Sequence, residues 1–142
     1  MAMIIRASEG VAGVPPGFPI LLDAGYSTGH LYVLTIPDNF GDLYRLPPGA
    51  LTRIKEVLMS GLPVRVESPA QVALFLYDND SFIVESFQPQ GSQVTIVTDP
   101  RIAKLRDLRS GQLLAGQARG NRMIFDVPIP PHSYRVFAAD KE

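Results

Sequence analysis

The stretch Gln71–Asp99, QVALFLYDNDSFIVESFQPQGSQVTIVTD, narrows the available folds more than any other part of the chain. Its β-branched and aromatic runs, Val72–Tyr77, Ser81–Phe87 and Gln93–Val97, suit a pleated, half-buried surface. Two turns separate them. Asp78-Asn79-Asp80 is short, polar and tolerant of left-handed backbone, while Pro89-Gln90-Gly91 sets a fixed φ followed by a free one. Three runs joined in this way predict the centre of an antiparallel β-domain.

The rest of the chain continues the rhythm. Strands are expected over Pro19–Asp23 and Leu31–Ile36, with AGYSTGH as the loop between them. Others are expected over Val64–Glu67, Lys104–Leu108, Gln112–Ala115, Arg122–Val127 and Ser133–Ala138. Arg109-Ser110-Gly111 reads as a hairpin turn with glycine at a positive φ, and Pro128-Ile129-Pro130-Pro131 as a break. Residues 1–18 open on the apolar Met3-Ile4-Ile5 and dissolve into a Gly- and Pro-rich linker or extended edge. Leu51, Ile54 and Leu58, with Val57 beside them, recur at helical spacing. They predict one helix over 48–59, entered through Pro47-Pro48 and stopped by Ser60-Gly61, with Arg53, Lys55 and Glu56 facing solvent.

The expected fold is therefore all-β, an antiparallel immunoglobulin-like β-sandwich over 64–142. An extension over 1–63, holding two or three strands and the short helix, precedes it. The core is expected to draw on Leu74, Leu76, Phe82, Val84, Val94, Ile96, Leu105, Phe125, Val127, Tyr134 and Val136.

Composition removes several function classes. A chain of 142 residues buries roughly two thirds of its unfolded surface, enough to fold without a metal or disulfide. It has no cysteine, which excludes disulfides and thiolate metal sites. A net charge of −1 with 19% charged residues argues against a nucleic-acid partner. No window nears the roughly 20 apolar residues of a membrane span. The N-terminus, MAMIIRASEG, lacks the basic start and long apolar run of a signal peptide. A soluble protein with no membrane partner is expected, its compartment open.

Reactive constellations are few. Gly25-Tyr26-Ser27-Thr28-Gly29 matches G-x-S-x-G, an elbow that needs a strand before the serine and a helix after it. ILLDA supplies the strand, but HLYVLTI reads as another strand, so a hairpin loop is the stronger interpretation. His132 would be the downstream base of such a serine hydrolase. His30 and His132 lie far apart in sequence, and neither has a second ligand at metal spacing. The acids of Asp38–Asp42 and Asp78–Asp80 sit in turns, and neither stretch continues into a calcium-binding loop. No metal and no cofactor are expected. Between Arg101 and Arg122 the basic residues outweigh Asp107, the pattern of a solvated, mildly basic sheet face. For a sugar, the platform the sequence offers is Tyr26, Phe40 and Tyr44 with Asp38, Asn39 and Asp42, aromatic faces beside hydroxyl-binding groups.

QVALFLYDNDSFIVESF, then LRDLRSGQLL, then FDVPIPPHSYRVF, resembles the C-terminal β-sandwich domain of large multidomain, β-galactosidase-like glycoside hydrolases. There a V-x-D-L-x-[ST]-G hairpin, here Leu105–Gly111, precedes a final L-P-P-x-S-Y-x-V-F strand, here Ile129–Phe137. The likeness covers about Val64 to Ala138. GHLYVLTIPDNFGDLYRLPPGALTRIKEVL is similar to the tail of the glutamine-amidotransferase-like segment that can precede such a domain. A chain beginning there would be a fragment or a free-standing remnant.

The resemblance implies a non-catalytic accessory domain of a carbohydrate-active enzyme, packing on or positioning the catalytic domain of a parent glycoside hydrolase, or self-associating. It carries over no catalytic residue. Two alternatives stand beside it: a carbohydrate-binding module that takes a polysaccharide through the loop aromatics named above, and a small serine hydrolase using Ser27.

Overall fold

The computed structural model describes residues 2–6, 19–36 and 38–140. The suggested linker over 7–18 lies outside the described residues. The chain divides into two compact units, Met1–Ile54 and Lys55–Glu142.

In the first unit β1 (Ala2–Arg6), β2 (Pro19–Tyr26) and β3 (Gly29–Leu34) form an antiparallel sheet with β2 in the middle. The β2–β3 ladder runs from Leu21 opposite Leu34 to Tyr26 opposite Gly29. Most of the expected loop AGYSTGH is therefore strand, and only Ser27, at φ 53°, and Thr28 make the turn. A short helix of 3-10 type follows over Phe40–Arg45, with the Asn39 side chain accepting from the Gly41 N–H at 3.1 Å. This is the N-cap chemistry that asparagine supplies well.

Helix α1 (Pro48–Leu58) begins with proline in its first turn, where a missing N–H costs nothing. Two details depart from the sequence expectation. Leu58, expected on the apolar face, is 75% exposed, and Met59 enters the core instead. The helix stops at Leu58, and the bonds Ser60 N–H to Val57 O and Leu62 N–H to Met59 O turn the chain tightly there. Lys55, expected in solvent, folds inward within the second unit. Its Nζ donates to Ser68 Oγ at 2.9 Å and to the carbonyls of Ser68, Pro69 and Val72 at 3.0, 2.6 and 3.4 Å. Burial lowers its pKa to about 8, opposed by Glu56.

The second unit is a two-layer antiparallel sandwich. Its strands are β4 (Val64–Glu67), β5 (Val72–Leu76), β6 (Ser81–Ser86), β7 (Ser92–Thr98), β8 (Lys104–Asp107), β9 (Leu113–Ala115), β10 (Gln117–Ala118), β11 (Met123–Ile129) and β12 (Ser133–Asp140). One sheet has the order β10-β11-β7-β4 and the other β5-β6-β12-β8-β9. The inward residues of both sheets share one core: Val66, Val94, Ile96, Phe125, Val127 and Ile129 from the first, and Val72, Phe82, Val84, Leu105 and Phe137 from the second. Full burial of a side chain of this kind is worth about 1.5–3 kcal/mol. Leu74 and Leu76 are partly buried against the same cluster.

β12 corrects the expected core. Tyr134 is 45% exposed and Val136 only partly covered, while Phe137 is fully buried. The register places Phe137 opposite Phe82 and Arg135 opposite Val84, so the strand sits one residue out of the expected phase and turns its other face inward. A second correction concerns the expected break, since β11 runs on through Pro128 to a buried Ile129. Proline is tolerated because β10 pairs only with Met123 and Ile124, leaving Pro128 on an open edge.

Candidate functional site

Two of the three stretches that carried the family resemblance, those holding Asp107 and Arg135, meet in space. Asp107 ends β8, and its carboxylate is the hub. Oδ1 accepts from the backbone N–H groups of Arg109 and Ser110 at 2.9 and 3.0 Å. Oδ2 accepts from Nε and Nη2 of Arg135, each at 2.7 Å. The main chain closes the same turn: Asp107 N–H bonds Gln112 O, Gly111 N–H bonds Asp107 O, and Gly111 takes φ 74°. A side chain there would be strained, which is why the motif ends in glycine.

The pair is largely out of water, with side chains 5% exposed for Asp107 and 17% for Arg135. Burial pushes the Asp107 carboxyl up. The Ser110 N–H, the Arg135 guanidinium and the Arg109 N–H outweigh it and hold the group below the ordinary carboxylate range. Among the described residues no buried side-chain nitrogen or oxygen lacks a partner. The Arg135 guanidinium also lies over the Phe137 ring, 5.1 Å from its centroid.

A shallow groove of about 450 Å³ opens over this pair. Arg109, Ser110 and Gln112 line it from the β8–β9 turn, Ser133 and Tyr134 from β12, and Pro128 and Pro130 from the end of β11. The Arg109 guanidinium sits 5.3 Å from the centre of the Tyr134 ring, within cation–π range. With Arg135 neutralised by Asp107, Arg109 sets the local charge. The groove therefore combines an exposed aromatic ring, a guanidinium, two hydroxyls and an amide on a fixed floor.

The sugar platform expected from sequence lies elsewhere, in the first unit. Tyr26 is 74% exposed at the tip of the β2–β3 hairpin. Asp38 and Asn39 follow the opposite end of β3, about 17 Å away along the strand at about 3.4 Å per residue. The Asn39 side chain is engaged by Gly41, and Asp42 is 3.5 Å from Arg45. Phe40 and Tyr44 lie in the 3-10 helix by backbone, and their side chains fall outside the described residues.

At the G-x-S-x-G stretch, β3 starts at Gly29, so a strand stands where the elbow requires a helix. This withdraws the hydrolase reading of Ser27. His30 stands in β3, with Nδ1 2.9 Å from Asp23 Oδ1 and its ring stacked on Tyr32. His132 occupies the β11–β12 turn at φ 44°.

Sequence reasoning missed Asp107, Arg109, Tyr134 and Arg135 as one cluster. The available signal was local: an aspartate two residues before the hairpin turn can cap the turn's own N–H groups. The pairing with Arg135 had no local signal.

A family model described as a probable glycosyl hydrolase, C-terminal domain, matches residues 63–139, more than half of the chain. No curated protein and no solved structure matches it.

Proposed function

The chain belongs to the family of probable glycosyl hydrolase C-terminal domains, and from that premise we propose that it is a non-catalytic accessory module that packs against the catalytic domain of a parent glycoside hydrolase. The observation that carries this reading is the outer face of the five-stranded sheet. Phe75 pairs with Ile83 and Ile83 with Val136, while the Leu108 N–H bonds the Val136 carbonyl. Directly paired residues share one face of a sheet, so these side chains form an apolar row. Phe75 and Leu108 in this row are 44% and 50% exposed. Contiguous apolar surface rimmed by polar groups marks docking sites.

Calorimetric titration with the parent's catalytic domain tests the proposal. Association weakened about tenfold or more by Phe75→Asp, with the isolated module's melting midpoint unchanged, is the expected result. Association equally tight in the variant would remove the face from the interface.

The narrower reading, a β-galactosidase-like parent with a glutamine-amidotransferase-like stump at 1–63, draws support from the observed order of β3 and α1. A second reading, polysaccharide binding through Tyr26, Asp38, Asn39, Phe40, Asp42 and Tyr44, draws support from the exposure of Tyr26. Affinity electrophoresis with a Tyr26→Ala/Tyr44→Ala double variant tests it, and retardation retained by that variant counts against it.

A further inference from the structure

Resting on the reading of the chain as a glycosyl hydrolase module, we propose that the groove over the Asp107–Arg135 pair is a subsite for an acidic saccharide, a sugar ring bearing a carboxylate. Tyr134 supplies an exposed aromatic ring, the surface that takes the C–H face of a pyranose. Arg109 supplies the charge. Its guanidinium is held against that ring, and among the described residues that side chain has no hydrogen-bonding or carboxylate partner. A guanidinium stacked on an aromatic ring keeps its N–H edge for a planar anion, which it meets through two parallel hydrogen bonds.

The remaining lining fits sugar hydroxyls. Ser110, Ser133 and Gln112 offer both donors and acceptors. The floor is preorganised: the Asp107 carboxylate holds the backbone N–H groups of Arg109 and Ser110 and the Arg135 guanidinium together. A site fixed before binding loses less entropy on occupation. A neutral sugar would leave Arg109 without an acceptor, so a carboxylate is the better match.

The test is affinity electrophoresis of the full 142-residue chain through gels containing polygalacturonate, its fully methyl-esterified form, or dextran sulfate. Mobility is corrected against polymer-free gels. Polygalacturonate should retard the protein, and Arg109→Gln and Tyr134→Ala should each weaken this about tenfold with melting midpoints retained. Both positions are exposed, so the variants keep the fold. Absence of retardation by polygalacturonate, or retardation unchanged in both variants, would overturn the site. Equal retardation by the methyl ester would overturn the acidic class, and equal retardation by dextran sulfate would overturn the saccharide in favour of charge alone. The docking face is tested separately through Phe75→Asp and the catalytic domain, so either idea fails without the other.

Discussion

Asp107 and Arg135 stand 28 positions apart in the chain and meet at 2.7 Å, joining the end of β8 to the first half of β12. This contact ties together two of the three stretches that carry the family resemblance. Removing the carboxylate leaves a largely buried guanidinium uncompensated and two backbone N–H groups without their acceptor. Asp107→Ala should therefore cost about 3–5 kcal/mol in chemical denaturation.

The same pair sets a dependence on pH. The folded-state value of Asp107 lies below its unfolded value of 3.8, so its stabilising contribution is complete above that value. It is lost as pH falls through the lower folded value. The gap in melting midpoint between wild type and Asp107→Asn should hold steady from pH 8 to pH 5 and close below about pH 4. A gap constant down to pH 2 would show that the charge is not what Asp107 contributes.

The phase of β12 yields a sharp contrast between near neighbours. Phe137 is fully buried beside Phe82, their ring centroids 5.4 Å apart, whereas Tyr134 is 45% exposed. Phe137→Ala should cost about 3–5 kcal/mol. Tyr134→Ala should cost about 1 kcal/mol or less, the loss of one exposed cation–π contact. Phe125→Ala, at a core position legible from sequence, should match Phe137→Ala.

Lys55 gives a pH dependence of the same sense in a higher window. Its pKa is about 8 when folded against 10.5 when unfolded, so between these values the unfolded chain holds more protons and stability rises with pH. Lys55→Met removes a donor from the carbonyls of Ser68, Pro69 and Val72, of which Pro69 keeps the Val72 N–H, and should cost about 1–3 kcal/mol at neutral pH. The wild-type advantage over this variant should widen from pH 8 to pH 10, measured by denaturant midpoints.

Gly116 is a packing constraint. A Cβ there would lie 2.3 Å from Met123 Cγ and 2.7 Å from Phe125 Cζ, while the Gly116 N–H bonds the Ala103 carbonyl. Gly116→Ala should destabilise the sandwich by about 1–3 kcal/mol through overpacking. Adding Met123→Ala in the same chain should recover part of that loss, because it removes the nearest atoms.

Local chemistry was legible in the sequence. Alternation and turn residues located β4 to β9 and β11 closely, proline placed the start of α1, and Phe82, Val84, Val94, Ile96, Leu105, Phe125 and Val127 were readable as core. Two-residue periodicity needs only neighbours along the chain to reveal itself. It failed in β12 because both faces of that strand carry apolar residues: Tyr134 and Val136 alternate as regularly as Phe137 alternates with Arg135. Only pairing with β6 and β8, with Asp107 awaiting Arg135, selects the inward face. The same limit hid the groove and the inward turn of Lys55, whose acceptors lie 13 to 17 residues onward. Sequence by itself determined which segments extend, turn or coil, since steric preference and hydrophobic alternation act locally. Tertiary structure decided which charges lose water and which side chains share a surface, because burial and pairing depend on strands that only folding brings together.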